Sequence, residues 1–203
     1  MVSMISDLVK PAVTRAITPP AKFLLRLGLT PNLITIFGGL GVVVSAFSFY
    51  PTKHFFLGTV IVTVFILSDL FDGTMARLST RGSSPWGGFL DSTVDRITDS
   101  SILIALILGT DSKEDRLIPV ILIAVFTGLL VPYIRAKAES IGVSCSGGLA
   151  ERTERSIIAL VGIGLYGLGV PYALPISMWL LAILGSFTVI QRILIVRKAV
   201  KGL

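Results

Sequence analysis

Four aspartates carry the chemistry this chain could perform. Asp69 and Asp72 stand three residues apart, Asp91 and Asp95 four apart, and each pair lies in a mostly apolar stretch. At helical spacing each pair shares one helix face, with Cβ atoms about 5–6 Å apart. An unneutralised carboxylate near the centre of a bilayer costs at least about 2.5–3.5 kcal/mol, so an acid in such a setting marks a functional site. Four of them close together repel unless cations lie between them. Oxygen-only donors favour hard ions such as Mg²⁺, Mn²⁺ or Ca²⁺. Two such ions about 3.5–4 Å apart suit displacement at a phosphoryl centre. Gly73 and Ala76 flank the first pair, where small residues let a ligand approach the backbone, and Arg77 supplies a guanidinium suited to phosphate or pyrophosphate. The pattern asks for a nucleotide-like anion.

The elements that position these groups follow from hydropathy. The chain has 203 residues, 53% hydrophobic and only 15% charged, with a mean hydropathy of +0.86, a composition that belongs to a polytopic membrane protein. Runs such as Ile102–Leu108 and Leu117–Leu130 are apolar on every face, which predicts helices and excludes the alternating strands of a barrel. A span needs about 20 mostly apolar residues. Six stretches fit: Asn32–Tyr50, Phe55–Arg77, Gly88–Gly109, Leu117–Ala138, Arg155–Val170 and Ala173–Val196. The expected fold is therefore all-α, a single membrane domain over 1–203 with a six-helix bundle at 32–197. Residues 1–30 carry Lys10, Arg15, Lys22 and Arg26 among apolar positions and show no cleavable signal; they read as one or two amphipathic helices on the cytoplasmic surface.

All but three of the 18 Lys and Arg fall on one side of these spans, the exceptions being Lys53, Lys113 and Arg116. The positive-inside rule then puts both termini, and the four aspartates, on the cytoplasmic side. A net charge of +6 could suggest nucleic acid, but spanning apolar runs make anionic lipid the better partner. The lone Cys145 permits no intrachain disulfide, and His54 has no ligand partners nearby in sequence. Tyr50, Trp86 and Trp179 read as interfacial aromatics.

A second constellation is basic. Arg135 and Lys137 end the fourth span, Arg152 and Arg155 begin the fifth, and Arg192 lies in the sixth. Five cations facing four carboxylates predict a pocket for a second anion, and bidentate guanidinium contacts point to a phosphorylated acceptor rather than a free alcohol.

Read as one pattern, Asp69-x2-Asp72-Gly73-x2-Ala76-Arg77-x9-Gly87-x3-Asp91-x3-Asp95 resembles the signature of the CDP-alcohol phosphatidyltransferase family, with one residue more than usual between the arginine and the following glycine. The likeness covers essentially the whole chain. It implies that Asp69, Asp72, Asp91 and Asp95 bind two Mg²⁺ ions (or Mn²⁺), that Asp95 also acts as general base, and that Asn32, Thr35, Asp69, Gly73, Ala76 and Arg77 hold CDP-diacylglycerol. The basic segments are similar to those of the actinobacterial phosphatidylinositol-phosphate synthases. That implies inositol phosphate as acceptor, with Arg135, Lys137, Arg152, Arg155 and Arg192 on its phosphate, CMP as leaving group and a homodimeric assembly. Glycerol 3-phosphate is the alternative acceptor. A cation transporter would also place carboxylates in the membrane, but no internal repeat is visible and the Asp-Gly-x2-Ala-Arg features would go unused.

Overall fold

The computed structural model describes residues 17–79, 82, 84–110, 116–145 and 151–201. Apart from a 3₁₀ turn at 116–117, their regular structure is α-helix. Residues 17–26 form α1, followed by α2 (Pro31–Phe49), α3 (Phe55–Ile66), α4 (Ser68–Leu78), α5 (Pro85–Gly109), α6 (Ile118–Ser140), α7 (Arg152–Gly167) and α8 (Ala173–Lys201). Of the expected surface segment, 17–26 is helical, while 1–16 lie outside the described residues.

Among the described residues, four stretches are long and apolar enough to cross a membrane: Pro31–Phe49, Phe55–Leu78, Ile118–Ser140 and Ala173–Val200. The other two expected spans differ for separate reasons. α5 is long, but it carries Asp91, Asp95, Arg96 and Asp99 along its middle; α7 has only 16 residues. The second expected span is interrupted at Leu67, so that α4 starts afresh one residue before Asp69. Phe37, Val64, Phe126 and Ile176 each expose more than 60% of their surface. Side chains so apolar on an outer face need an apolar surrounding.

The helices close into a ring. α2 packs on α3, α4 and α5, α5 on α6, α6 on α8, α8 on α7, and α7 returns to α3. The core inside takes Val42, Val62, Leu106, Ile121, Ile163 and Met178 from the six long helices in turn. Small residues make the closest approaches, as expected where backbones must meet without a bulky interface. A Cβ at Gly167 would stand 2.3 Å from the Phe56 backbone nitrogen, and one at Gly109 2.1 Å from the Tyr50 carbonyl oxygen. Tyr50 is fully buried, its hydroxyl 3.1 Å from Thr59 Oγ1, and so is a core residue rather than an interfacial one. Trp86 and Trp179 are exposed.

α2 is the hub for the acidic helices. A Cβ at Gly38 would fall 1.8 Å from Ser68 Oγ at the start of α4, one at Gly39 2.3 Å from Val94 Cγ1 of α5, and one at Gly41 2.2 Å from the Phe65 ring of α3. α4 and α5 each pack chiefly on α2, and a cavity opens beside them that residues of both line.

Candidate active site

α2 and α5 begin alike. Thr30 accepts from the Leu33 N–H (3.3 Å) with Pro31 at the first helical position, and Ser84 accepts from the Gly87 N–H (3.0 Å) with Pro85 in that place. The hydroxyl satisfies an otherwise orphan N–H, and proline's fixed φ suits the first turn. The two starts converge: a Cβ at Gly87 would be 3.2 Å from Asn32 Oδ1. Both open on a cavity of about 710 Å³ lined by Thr30, Asn32, Thr35, Gly73, Ala76 and Gly87, among others. Two helix N-termini facing one space bring unpaired N–H groups and positive dipole ends together, a setting that favours phosphate. Arg77 is exposed beside it, donating from Nη2 to Thr74 Oγ1 at 3.1 Å.

Carboxylates form the inner end of this cavity. Asp69 and Asp72 of α4 and Asp91 of α5 each offer one oxygen, and these oxygens lie within 4.8 Å of one another. Asp72 is buried and accepts a hydrogen bond from the Thr35 hydroxyl, which fixes its carboxylate. Three convergent oxygens on packed helices fit a hard divalent cation. Asp95, one turn along α5, stands outside that trio and pairs with Arg152 (Nη2–Oδ1 2.8 Å), with Arg96 Nη1 3.7 Å from its other oxygen.

Arg152 leads into the second site. From the first residue of α7 it also reaches Asp69 Oδ2 at 3.0 Å and lies 3.5 Å from Asp99 Oδ2. Beyond it a cavity of about 180 Å³ is lined by Arg96, Asp99, Arg135, Arg152, Arg155 and Arg192, with Glu151 at its edge. Pro132 sits inside α6 at this cavity's wall, where it has no N–H for the Gly128 carbonyl, and Gly128 lines the cavity too. Arg192 is only 5% exposed and donates to the Val131 carbonyl at 2.6 Å. Arg135 pairs with Glu139 at 2.9 Å, both more than half exposed. Lys137 is exposed and not among the lining residues. Two residues apart on a helix do not share a face, so Arg135 and Lys137 could not both turn inward.

A family model for CDP-alcohol phosphatidyltransferases matches residues 28–196, nearly all of the helical ring. The chain belongs to that family. It is a phosphatidyltransferase, and with its apolar helices a membrane protein. Among relatives, the phosphatidylinositol phosphate synthase of Streptomyces avermitilis is 40% identical over 205 residues, covering 97% of this chain and 84% of the relative. That of Mycobacterium tuberculosis strain H37Rv is 37% identical over 196 residues, covering 94% and 90%. Two crystal structures of the M. tuberculosis phosphatidylinositol phosphate synthase superpose closely. The one with CDP-DAG bound has a TM-score of 0.85 at 39% identity, covering 90% of this chain and 94% of the other. The one in complex with manganese and citrate has 0.84 at 38%, covering 89% and 88%. The manganese in that relative and the aspartate cluster here agree on divalent metal use by this phosphatidyltransferase.

Three residues at the two cavities escaped the sequence reading as site residues. Asp99 continues the Asp91, Asp95 spacing by another four residues, Arg96 sits between them, and Ser84 caps the helix that carries all three. The repeated step of four was the available signal for Asp99, and Ser-Pro ahead of a helical stretch was the one for Ser84.

Proposed function

We propose that this phosphatidyltransferase moves the phosphatidyl group of CDP-diacylglycerol to a hydroxyl of inositol phosphate, forming phosphatidylinositol phosphate and CMP. The observation that carries this reading is a roomy, carboxylate-ended cavity adjoining a small guanidinium-lined one, with Arg152 between them. The first suits a nucleotide-linked lipid; the second has room only for a small ligand and the charge for a phosphorylated one. The names of the relatives point the same way.

In this reading Asn32, Thr35, Gly73, Ala76 and Arg77 hold the CDP moiety, helped by the N-termini of α2 and α5. Asp69, Asp72, Asp91 and Asp95 hold two Mg²⁺ or Mn²⁺ ions. When bound, the metal supplies charge neutralisation of the pyrophosphate and makes the acceptor hydroxyl more acidic. Asp95 removes the hydroxyl proton. The acceptor oxygen forms a bond to the lipid-bearing phosphorus as the bond from that phosphorus to the bridging oxygen breaks, and CMP takes the electron pair. Arg135, Arg155 and Arg192, with Arg152, orient the acceptor's phosphate. Lys137 is left as a surface anchor. We assign the chain a single domain crossing the cell membrane six times, with α5 and α7 completing the spans, an amphipathic N-terminal helix, cytoplasmic termini and site, and a homodimeric state.

The test is CMP release by purified protein in detergent with CDP-diacylglycerol, Mg²⁺ or Mn²⁺, and each acceptor in turn. Turnover with inositol phosphate, and little with glycerol 3-phosphate or free inositol, is the expected result. Turnover with free inositol or serine alone would remove the reason for the basic cavity.

A further inference from the structure

We propose that Arg152 is a mobile cation shared between the two cavities, and that Asp99 is the positioning residue that receives it when divalent metal loads the carboxylates. Metal binding and acceptor binding then reinforce each other. The metal half of this stands on the residues alone; the acceptor half rests on the reading given above.

Arg152 lines both a narrow cleft with Asp69, Asp72 and Asp95 and the basic cavity with Asp99, Arg155 and Arg192. Its Nη1 donates to Asp69 Oδ2 at 3.0 Å, and its Nη2 lies 2.8 Å from Asp95 Oδ1. These carboxylates are the ones a divalent ion would draw on. Two cations a few ångströms apart repel, and each carboxylate serves one of them at the expense of the other. On the far side of the guanidinium, its buried Nε makes no hydrogen bond and lies 3.5 Å from Asp99 Oδ2. A movement of well under an ångström turns that approach into a charge-assisted hydrogen bond. The same movement takes positive charge away from the carboxylates and into the cavity, beside Arg155 and Arg192. An anion there holds Arg152 off the metal oxygens. Coupling between two binding events is reciprocal, so metal favours the anion by the same factor.

The experiment measures Mn²⁺ binding to the purified full chain by the EPR signal of the free ion, which needs no turnover. Arg152→Gln should bind Mn²⁺ roughly 5–20-fold more tightly than wild type, the size of an ordinary coupling, while its KM for the phosphorylated acceptor rises. Asp99→Asn should weaken Mn²⁺ binding and Asp99→Glu restore it, and Asp99→Asn should add little in the Arg152→Gln background. The titration is repeated with whichever phosphorylated acceptor supports CMP release, so failure of the inositol assignment leaves this test intact. An active acceptor should tighten Mn²⁺ binding in wild type and not in Arg152→Gln. Unchanged or weaker Mn²⁺ binding by Arg152→Gln overturns the competition. An effect of Asp99→Asn that persists in full without Arg152 overturns the positioning role. Should Arg152→Gln fail to fold, Arg152→Lys, with one nitrogen in place of the three that now face Asp69, Asp95 and Asp99, must show the same direction of change or the proposal fails.

Discussion

The acidic and basic cavities adjoin at Arg152 yet are assembled in opposite ways. Asp69, Asp72, Asp91 and Asp95 come from two consecutive helices, α4 and α5, seated on Gly38 and Gly39 of α2 respectively. The guanidinium groups come from four helices: Arg96 from α5, Arg135 from α6, Arg152 and Arg155 from α7, and Arg192 from α8. The first site is therefore set by spacing within a short piece of chain, and the second by how distant helices close the ring. Damage to the first should act on the chemical step. Damage to the second should act on one substrate's affinity.

The largest effect expected from this contrast is at Asp95. Asp95→Asn keeps the volume and loses the base, and kcat should fall by about 10²–10⁴-fold, the usual worth of a positioned acid or base. EDTA should abolish CMP release in the wild type, and Mn²⁺ or Mg²⁺ should restore it. A variant that loses less than tenfold, measured by initial rates at saturating substrates, would move the general-base role elsewhere.

Next comes Arg155, which lines the basic cavity. A hydrogen bond to a charged partner contributes about 1.5–3 kcal/mol. Arg155→Ala should accordingly raise the acceptor's KM by roughly 10–100-fold while the KM for CDP-diacylglycerol stays near the wild-type value. An equal rise in both would show that the two cavities are not separable, and the comparison would break.

How each site reads in the sequence follows from the same difference. The aspartate spacing is helical and local, so two shared faces could be inferred without knowing the fold. Asp99 extends that ladder by one more turn but was hidden by its membership of a third turn that the two-pair pattern did not require. The basic residues were visible as charges, yet nothing local says which face of α6 turns inward; Arg135 lines the cavity and Lys137 does not. The α2 glycines were equally invisible, because their partners Ser68 and Val94 are far along the chain and a small residue shows its use only when its neighbour is known. Tyr50 at a span end looked interfacial, and the turn after α2 instead folds it into the core beside Thr59 and Phe55. Span ends came out within a few residues where Pro31, Phe55 and Ala173 mark them; at Leu67 no glycine or proline signals the interruption.

Gly39 and Gly109 sharpen the comparison from the packing side. A Cβ at either would meet a neighbour at under 2.5 Å, Val94 Cγ1 for the first and the Tyr50 carbonyl oxygen for the second. Overpacking of this kind costs about 1–3 kcal/mol, so Gly39→Ala and Gly109→Ala should both lower the midpoint of thermal unfolding in detergent. They should differ in function. Val94 precedes Asp95, so Gly39→Ala should also weaken Mn²⁺ binding, whereas Gly109→Ala, at the opposite end of α5, should bind the ion as wild type does while folded. Equal Mn²⁺ affinities in the two variants would show that the glycine stripe seats the helices without setting the carboxylates.

The smallest effect belongs to Lys137. It is exposed, and the basic cavity is lined without it. A surface substitution away from caps, core and site changes free energy by no more than about 0.5 kcal/mol, so Lys137→Ala should leave the acceptor's KM within about twofold of wild type. Arg135, two residues earlier, lines the cavity while exposed enough to pair with Glu139, and its removal should fall between Lys137 and Arg155. The three KM values therefore form an order, Arg155 above Arg135 above Lys137, set by how far each side chain enters the cavity. If charge alone governed acceptor binding, through a field spread over the whole basic end of the bundle, Lys137→Ala and Arg135→Ala would cost the same, and both would fade together as salt is raised past the range where surface charges are screened.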